Sequence, residues 1–222
     1  MNCAVLFSGG KDSTYAAYLA KKEGYDISCL ISIFSKNPDS YMFHTPSIHK
    51  VKKQAEVMDL PLITKETEGL KELELKDLEE VIKQVKKYYK IDCIITGAVE
   101  SVYQASRIQK ICDELELKCY NPIWKKDQFE ILKELVENNF KVVIIGVFAY
   151  PLDKSWLGRE INQEFIKATK DLYEKYQINP AGEGGEFETF VLNCPLFKRG
   201  LEIKNKIVTG SKNSWKMEIE VE

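Results

Sequence analysis

Histidine is almost missing from this 222-residue chain, with His44 and His49 its only two. Five residues apart, they would not share a helical face, so a histidine-built zinc catalyst is not expected. None of the six cysteines, Cys3, Cys29, Cys93, Cys112, Cys119 and Cys194, belongs to a C-x-x-C pair. That excludes the usual spacing of a structural zinc site and gives no disulfide framework. Several cysteines fall inside expected strands or helices, where the side chain acts as a small apolar group. Long apolar runs are lacking too. The longest, Val142 to Ala149, is far too short to cross a bilayer, so no membrane partner is expected. An apolar strand begins almost at Met1, where a secretion signal would have to lie, and a cytoplasmic location is the expectation. Charge of one sign is not in excess: the formal net charge is −2, which gives no overall electrostatic footprint for nucleic acid. A stable nucleic-acid partner is therefore not expected. Two phosphate-binding fingerprints are also absent, the G-x-x-x-x-G-K-[ST] loop and the dinucleotide G-x-G-x-x-G pattern. What remains, 44% hydrophobic and 30% charged residues, is the composition of an ordinary soluble globular protein.

Against these absences, one short stretch stands out: Ser8-Gly9-Gly10-Lys11-Asp12-Ser13. It follows the apolar run Cys3-Ala4-Val5-Leu6-Phe7, which reads as a buried strand, and precedes Thr14 to Lys22, which reads as a helix closed by Gly24. A glycine pair between strand and helix lets the backbone approach a ligand closely. The unpaired N–H groups of the helix's first turn favour an anion there, and Asp12 or Ser13 is expected to cap the helix. A polyphosphate suits such a loop; a plain strand–turn–helix corner is the alternative.

Short apolar runs then alternate with helical stripes. Strands are expected at Ile27 to Phe34, Leu62 to Thr64, Asp92 to Thr96, Lys118 to Tyr120 and Lys141 to Phe148. Helices between them are marked by a start at Thr45-Pro46 with a stripe of Ile48, Val51, Ala55 and Met58; by Leu78, Val81, Ile82, Val85 and Tyr89; by Ile108, Ile111, Cys112 and Leu115; and by Leu132 and Val136 behind an Asp127/Glu130 capping box. This order predicts a parallel sheet covered on both faces and closed by the Lys141 strand. Ligands bind such sheets at the carboxyl ends of the strands, where Ser8, Phe34 and Gly97 lie. After Tyr150-Pro151 the character changes to one helix, a Gly/Glu-rich segment and strands near 188–192, 201–208 and 215–221. A small α+β domain is expected there, and 222 residues leave room for one large domain with an appendage. A homo-oligomer is compatible with all of this.

The Ser8 to Ser13 loop resembles the SGGxDS pyrophosphate loop of the N-type ATP pyrophosphatases. The stretch Gly182-Glu183-Gly184-Gly185-Glu186-Phe187-Glu188-Thr189-Phe190 resembles the signature of the diphthine–ammonia ligases within that superfamily, and Gly97 to Arg107, Met42 to Thr45 and Ser155 to Arg159 resemble further segments of that family. The resemblance spans residues 8 to about 197. It implies a Rossmann-like α/β parallel sheet of the adenine nucleotide alpha hydrolase type with a small C-terminal α+β domain, divided as an ATP-binding PP-loop domain (1–152) and a substrate-binding domain (153–222). It implies use of ATP with Mg²⁺ to activate diphthine, on translation elongation factor 2, as an acyl-adenylate that ammonia converts to the amide. The rival readings are a tRNA-modifying ATP pyrophosphatase and a non-catalytic adenine-nucleotide-binding module.

On this resemblance Ser8, Gly9, Gly10, Lys11, Asp12 and Ser13 cradle the phosphates, with His44 and Gly97 completing the nucleotide site. Lys11 places a cation beside the reacting α-phosphate, unless it is a solvated lysine. Asp12 positions Mg²⁺, through water, or else only caps its helix. His44 borders the adenine or sits in a surface loop, and Gly97 approaches the nucleotide or is an ordinary turn glycine. Tyr103, Gln104 and Arg107 lie on the ligand side of a helix, where Arg107 pairs with phosphate or substrate carboxylate or forms a surface salt bridge. Glu183, Glu186 and Glu188, with Phe187, Phe190, Trp156 and Tyr150, are expected to face the trimethylammonium group of diphthine and the ammonia, with Glu186 the catalytic member; the alternative is a glycine-rich turn whose glutamates face solvent. A glutamine-dependent route would need a nucleophilic cysteine with a partner. Cys3 lies within a strand and no histidine follows His49, so free ammonia is the expected nitrogen donor.

Overall fold

The alternating runs sort into two sheets. The computed structural model describes residues 1–36, 50–70 and 73–222. His44 and the helix start expected at Thr45-Pro46 lie outside the described residues. Strands β1 (Asn2–Leu6), β2 (Asp26–Ser35), β3 (Leu62–Thr67), β4 (Cys93–Ile95) and β5 (Lys118–Tyr120) form one parallel sheet in the order β3-β2-β1-β4-β5. The connections carry helices α1 (Lys11–Lys22), α2 (Val51–Met58), α3 (Leu73–Tyr89) and α4 (Val102–Glu114). Alternate residues of a strand face opposite sides. Cys3 and Val5 therefore join Ala16, Ala17 and Ala20 of α1 and Ala55 of α2, whereas Ala4 joins Leu78 and Ile82 of α3 and Ile108 and Ile111 of α4. Strand order reverses at β1, and its carboxyl end, with that of β4, opens the crevice where such sheets take ligands.

The strand at Lys141 does not close this sheet, contrary to the expectation from its apolar run. It is β6 (Lys141–Val147), and it pairs antiparallel with β7 (Phe187–Asn193) and β9 (Ser214–Val221) in a second sheet of order β7-β6-β9-β8, with β8 (Ile203–Ser211) at the edge. A continuous apolar run reports burial on both faces, not which sheet the strand joins. Here its buried residues share one core with Ala16 and Ala55 of the first layer and with Ile131 and Leu135 of α5 (Gln128–Glu137) and Phe165 of α6 (Gln163–Tyr176). By sheet, the division of the chain thus falls before β6. The Asp127 carboxylate accepts the Glu130 N–H at 3.0 Å, which opens α5, and Asn162 caps α6 through the Phe165 N–H at 2.9 Å. In β9 the buried Met217, Ile219 and Val221 alternate with exposed glutamates, as its period-two pattern requires. Val5, Ala16, Ile144, Phe190 and Met217 belong to one core that spans both sheets. No helix among the described residues is long and apolar enough to cross a membrane.

Candidate functional site

The loop between β1 and α1 turns on Gly9, whose φ of +79° suits glycine. A Cβ there would also lie 2.3 Å from Oε1 of Gln54. The helix begins at Lys11, earlier than its apolar spacing suggests, and its N-cap is Gly10 without any side-chain cap. Neither Asp12 nor Ser13 caps it, because both already lie inside the first turn and an N-cap side chain must precede it. Ser13 instead closes the loop on itself: its hydroxyl accepts the Ser8 N–H at 3.2 Å, donates to the Gly10 carbonyl at 3.3 Å and meets the Ser8 hydroxyl at 3.1 Å. Gly97, just past β4, lies against the same turn. A Cβ on it would sit 2.6 Å from the Asp12 carbonyl carbon and 2.7 Å from the Ser13 nitrogen. The end of β4 and the first turn of α1 thus meet backbone to backbone.

Lys11 turns inward rather than into solvent. Its side chain is 4% exposed, and Nζ donates to both Asp12 carboxylate oxygens, at 2.8 and 2.7 Å, and to Oε1 of Glu183 at 3.4 Å. Burial works against its charge, but the two carboxylates outweigh that and hold its pKa above the ordinary lysine value. With one cation and two anions, a carboxyl is left in excess. Asp12 is the closer partner, and the Glu183 carboxyl is pushed up to about 7 by burial and then by the Asp12 charge, with Lys11 opposing.

Glu183 reaches Lys11 because Asn179 organises the segment that carries it. The Asn179 side-chain oxygen accepts the N–H groups of Ala181 and Glu183 at 3.2 and 3.1 Å, and its own N–H donates to Oε1 of Glu186 at 3.1 Å. Gln128 of α5 also receives the Ala181 N–H, at 3.1 Å. Glu186 therefore points at the base of its own turn, with Oε2 buried and unpartnered. Glu188, on β7, sits opposite Gly146 of β6, which in turn lies opposite Lys216 of β9. Burial raises the Glu188 carboxyl to about 8, with Lys216 opposing and Glu218 adding to the rise, and its Oε2 is buried without a partner.

These pieces surround a cavity of about 700 Å³. Of the residues expected from the sequence, Ser8, Asp12, Ser13, Gly97, Gln104, Glu183 and Glu188 line it, and Lys11 lies beneath its floor. Tyr103 and Arg107 are not in the lining; the Arg107 guanidinium stacks 3.5 Å over the Tyr103 ring. Among the aromatics, Phe187 lines the cavity and packs edge-on against Phe165 at 5.8 Å. Phe190 is buried in the core, Trp156 carries the Arg159 guanidinium on its ring at 4.3 Å, and Tyr150 is exposed beside Tyr176. Ile31 and Ile33 of β2 supply an apolar wall, and Thr96 and Ser101 supply hydroxyls. The sequence reading passed over these four, and also Asn179, although its Asn179-Pro180 dipeptide marks a turn.

Comparison with known proteins follows this geometry across both sheets. The diphthamide synthase N-terminal domain family matches residues 1–119, and the diphthamide synthase C-terminal domain family matches residues 127–220. The diphthine--ammonia ligase of Mus musculus is 35% identical over 91% of this chain and 83% of its own length. That of Schizosaccharomyces pombe is 31% identical over 91% of this chain, which spans 36% of the longer yeast protein. Among solved structures, a predicted subunit of tRNA methyltransferase from Methanocaldococcus jannaschii is similar with a TM-score of 0.46 at 17% identity, over 88% of this chain and 98% of that one. Matched in both halves, and carrying residues of the loop and of the glutamate segment in the lining of one cavity, the chain belongs to the diphthamide synthase family.

Proposed function

We propose that this chain amidates diphthine on translation elongation factor 2 to diphthamide, using ATP and ammonia. The observation that carries the reading is one cavity lined both by Ser8, Asp12 and Ser13 of the loop and by Gly182, Glu183 and Glu188 of the glutamate segment. One wall suits a polyphosphate and the other suits a cation, and the reaction needs both. In the first step a diphthine carboxylate oxygen bonds to the α-phosphorus of ATP and the bond to the β-phosphate oxygen breaks, releasing pyrophosphate. In the second, the ammonia lone pair attacks the acyl carbon, the carbon–oxygen bond to AMP breaks, and the nitrogen loses a proton to give the amide.

The chain's own groups divide this work. The loop's backbone and the start of α1 receive the phosphates. Lys11 is already charged where negative charge builds up at phosphorus, and needs no reorganisation beyond exchanging Asp12 and Glu183 for phosphate oxygens. Glu183, its carboxyl pushed up to about 7 by burial and the Asp12 charge, sets less than a full second negative charge against the incoming triphosphate at neutral pH. Glu188 lines the cavity and has one carboxyl oxygen buried without a partner, a group that an ammonium or trimethylammonium charge would stabilise as the anion. Glu186 supports the turn that presents its neighbours. Asp12 offers hard carboxylate oxygens at the mouth of the loop, and among the described residues no three His, Cys, Asp or Glu side chains gather to hold an ion. That donor set fits magnesium, which typically takes one or two carboxylates together with substrate phosphates. When bound it would neutralise charge on the polyphosphate. The tRNA-modifying and non-catalytic readings are not favoured, since the family match extends through the second sheet.

The test is AMP and pyrophosphate release from ATP, Mg²⁺ and ammonium with elongation factor 2 that carries diphthine or lacks it. AMP confined to the diphthine form, with conversion of its carboxylate to the amide, is the expected result. AMP release indifferent to that protein, or none, would overturn the reading.

A further inference from the structure

The loop that would receive the phosphates is held by groups outside its own sheet. The Lys11 N–H, the first of α1, donates to the hydroxyl of Thr189 on β7 at 3.1 Å. The Gly9 carbonyl accepts the Val191 N–H at 3.1 Å and the side-chain N–H of Gln54 at 2.9 Å. That same Gln54 nitrogen donates to the Val191 carbonyl at 2.8 Å, so one side chain from α2 joins the loop to β7. Gln54 is fully buried and Thr189 is 6% exposed. A polar side chain in such a place is costly unless its bonds are made; Thr189 and the Gln54 nitrogen make theirs at this one loop, while Oε1 of Gln54 is buried without a partner.

We infer that Thr189 and Gln54 are positioning residues for the phosphate loop, and that β7 therefore sets the nucleotide half of the cavity as well as the glutamate half. Thr189 occupies the first amide of α1, which directs an incoming anion toward the rest of the turn. Gln54 and Val191 fix the Gly9 carbonyl, and with it the direction in which the loop faces the cavity. Because Glu188 and Thr189 are adjacent on β7, any shift of the strand moves the loop and the glutamate together. The inference rests on the reading of this loop as an ATP site.

ATP binding is measured by calorimetry on the full chain, together with thermal unfolding, for the wild type and for Thr189→Val, Thr189→Ser and Gln54→Leu. Thr189→Val keeps the shape and removes the hydroxyl. It is expected to weaken ATP binding about tenfold, because the loop amides are no longer held in the direction that faces the cavity, while Thr189→Ser keeps wild-type affinity. Gln54→Leu is expected to weaken binding in the same direction. Variants that fold and bind ATP like the wild type, even with lowered melting temperatures, would show that these bonds only hold the fold and would overturn the inference. Hydrogen exchange on the wild type gives a second readout should the variants not fold. The Lys11 amide is expected to exchange slowly without ATP, and rapid exchange would equally overturn the inference. A wild-type chain that binds no ATP at all would instead reject the nucleotide reading itself.

Discussion

Glu183 and Glu188 are carboxyls at one cavity whose pKa values are raised chiefly by burial and further by different acidic neighbours. Glu183 competes with Asp12 for a single ammonium and takes the longer contact, 3.4 Å against 2.7 Å. Glu188 lacks a direct partner, and Lys216 opposes its rise from across the sheet without overcoming burial. For Glu188 the raised value, about 8 against an ordinary 4.5, has a definite consequence for stability. Below about pH 4.5 the folded and unfolded chains both hold the proton; up to about pH 8 only the folded chain keeps it, so stability falls as pH rises through that window. Glu188→Gln removes this dependence. The variant is expected to melt increasingly above the wild type as pH is raised from about 5 to about 9, by roughly 2–4 °C for each kcal/mol relieved. Thermal unfolding at several pH values checks this, and a gap that stays constant or narrows would contradict the burial of an unpaired carboxyl at this position. In the sequence the three glutamates were visible as a motif, but their different fates were not. Glu186 turns to Asn179 because it still belongs to the turn before β7, while Glu188 lies on the strand itself and lines the cavity.

At the scale of elements, the close contact between the end of β4 and the first turn of α1 is what brings the loop into the crevice. The neighbours of Gly97 are backbone atoms of Asp12 and Ser13, which cannot rotate away as a side chain can. Gly97→Ala is therefore expected to push α1 off β4 and to cost about 1–3 kcal/mol, the range for overfilling a packed contact. The variant should show a lowered melting temperature together with weaker ATP binding; a normal affinity with normal melting would mean that the contact is looser than the distances state. This junction was readable in advance, since a glycine pair after an apolar strand and a glycine after the fourth strand both mark close backbone approaches. The role of α2 was half readable. Its stripe of Val51, Ala55 and Met58 places position 54 on the same face, so a glutamine there had to be buried and bonded, but nothing local says that its partners are Gly9 and Val191. Strand β6 was misplaced for the same kind of reason. Its length and burial are properties of the run itself, whereas its antiparallel partners lie forty or more residues downstream.

At the scale of the whole molecule, the two sheets are bound too closely for either to act as an independent unit. One core contains Val5 and Ala16 from the first layer with Ile144, Phe190 and Met217 from the second. Backbone bonds cross between them at Gly9 with Val191 and at Val57 with Lys198, the latter at 2.8 Å. Burying a large apolar side chain contributes about 1.5–3 kcal/mol, so separating the sheets would expose enough of this core to make an intermediate with one sheet folded unfavourable. The functional consequence is that the cavity, whose walls come from both sheets, exists only when both are formed. Calorimetry is thus expected to show a single unfolding transition for the full chain, with calorimetric and van't Hoff enthalpies equal. ATP at roughly a hundred times its dissociation constant should add about 2.7 kcal/mol and raise that one transition by roughly 5–10 °C. Two resolved transitions, with ATP moving only the first, would mean that the parallel sheet binds nucleotide alone and that β7 contributes to the second substrate only. A single transition that ATP moves as a whole is what a site built jointly by the Ser8 to Ser13 loop and β7 requires.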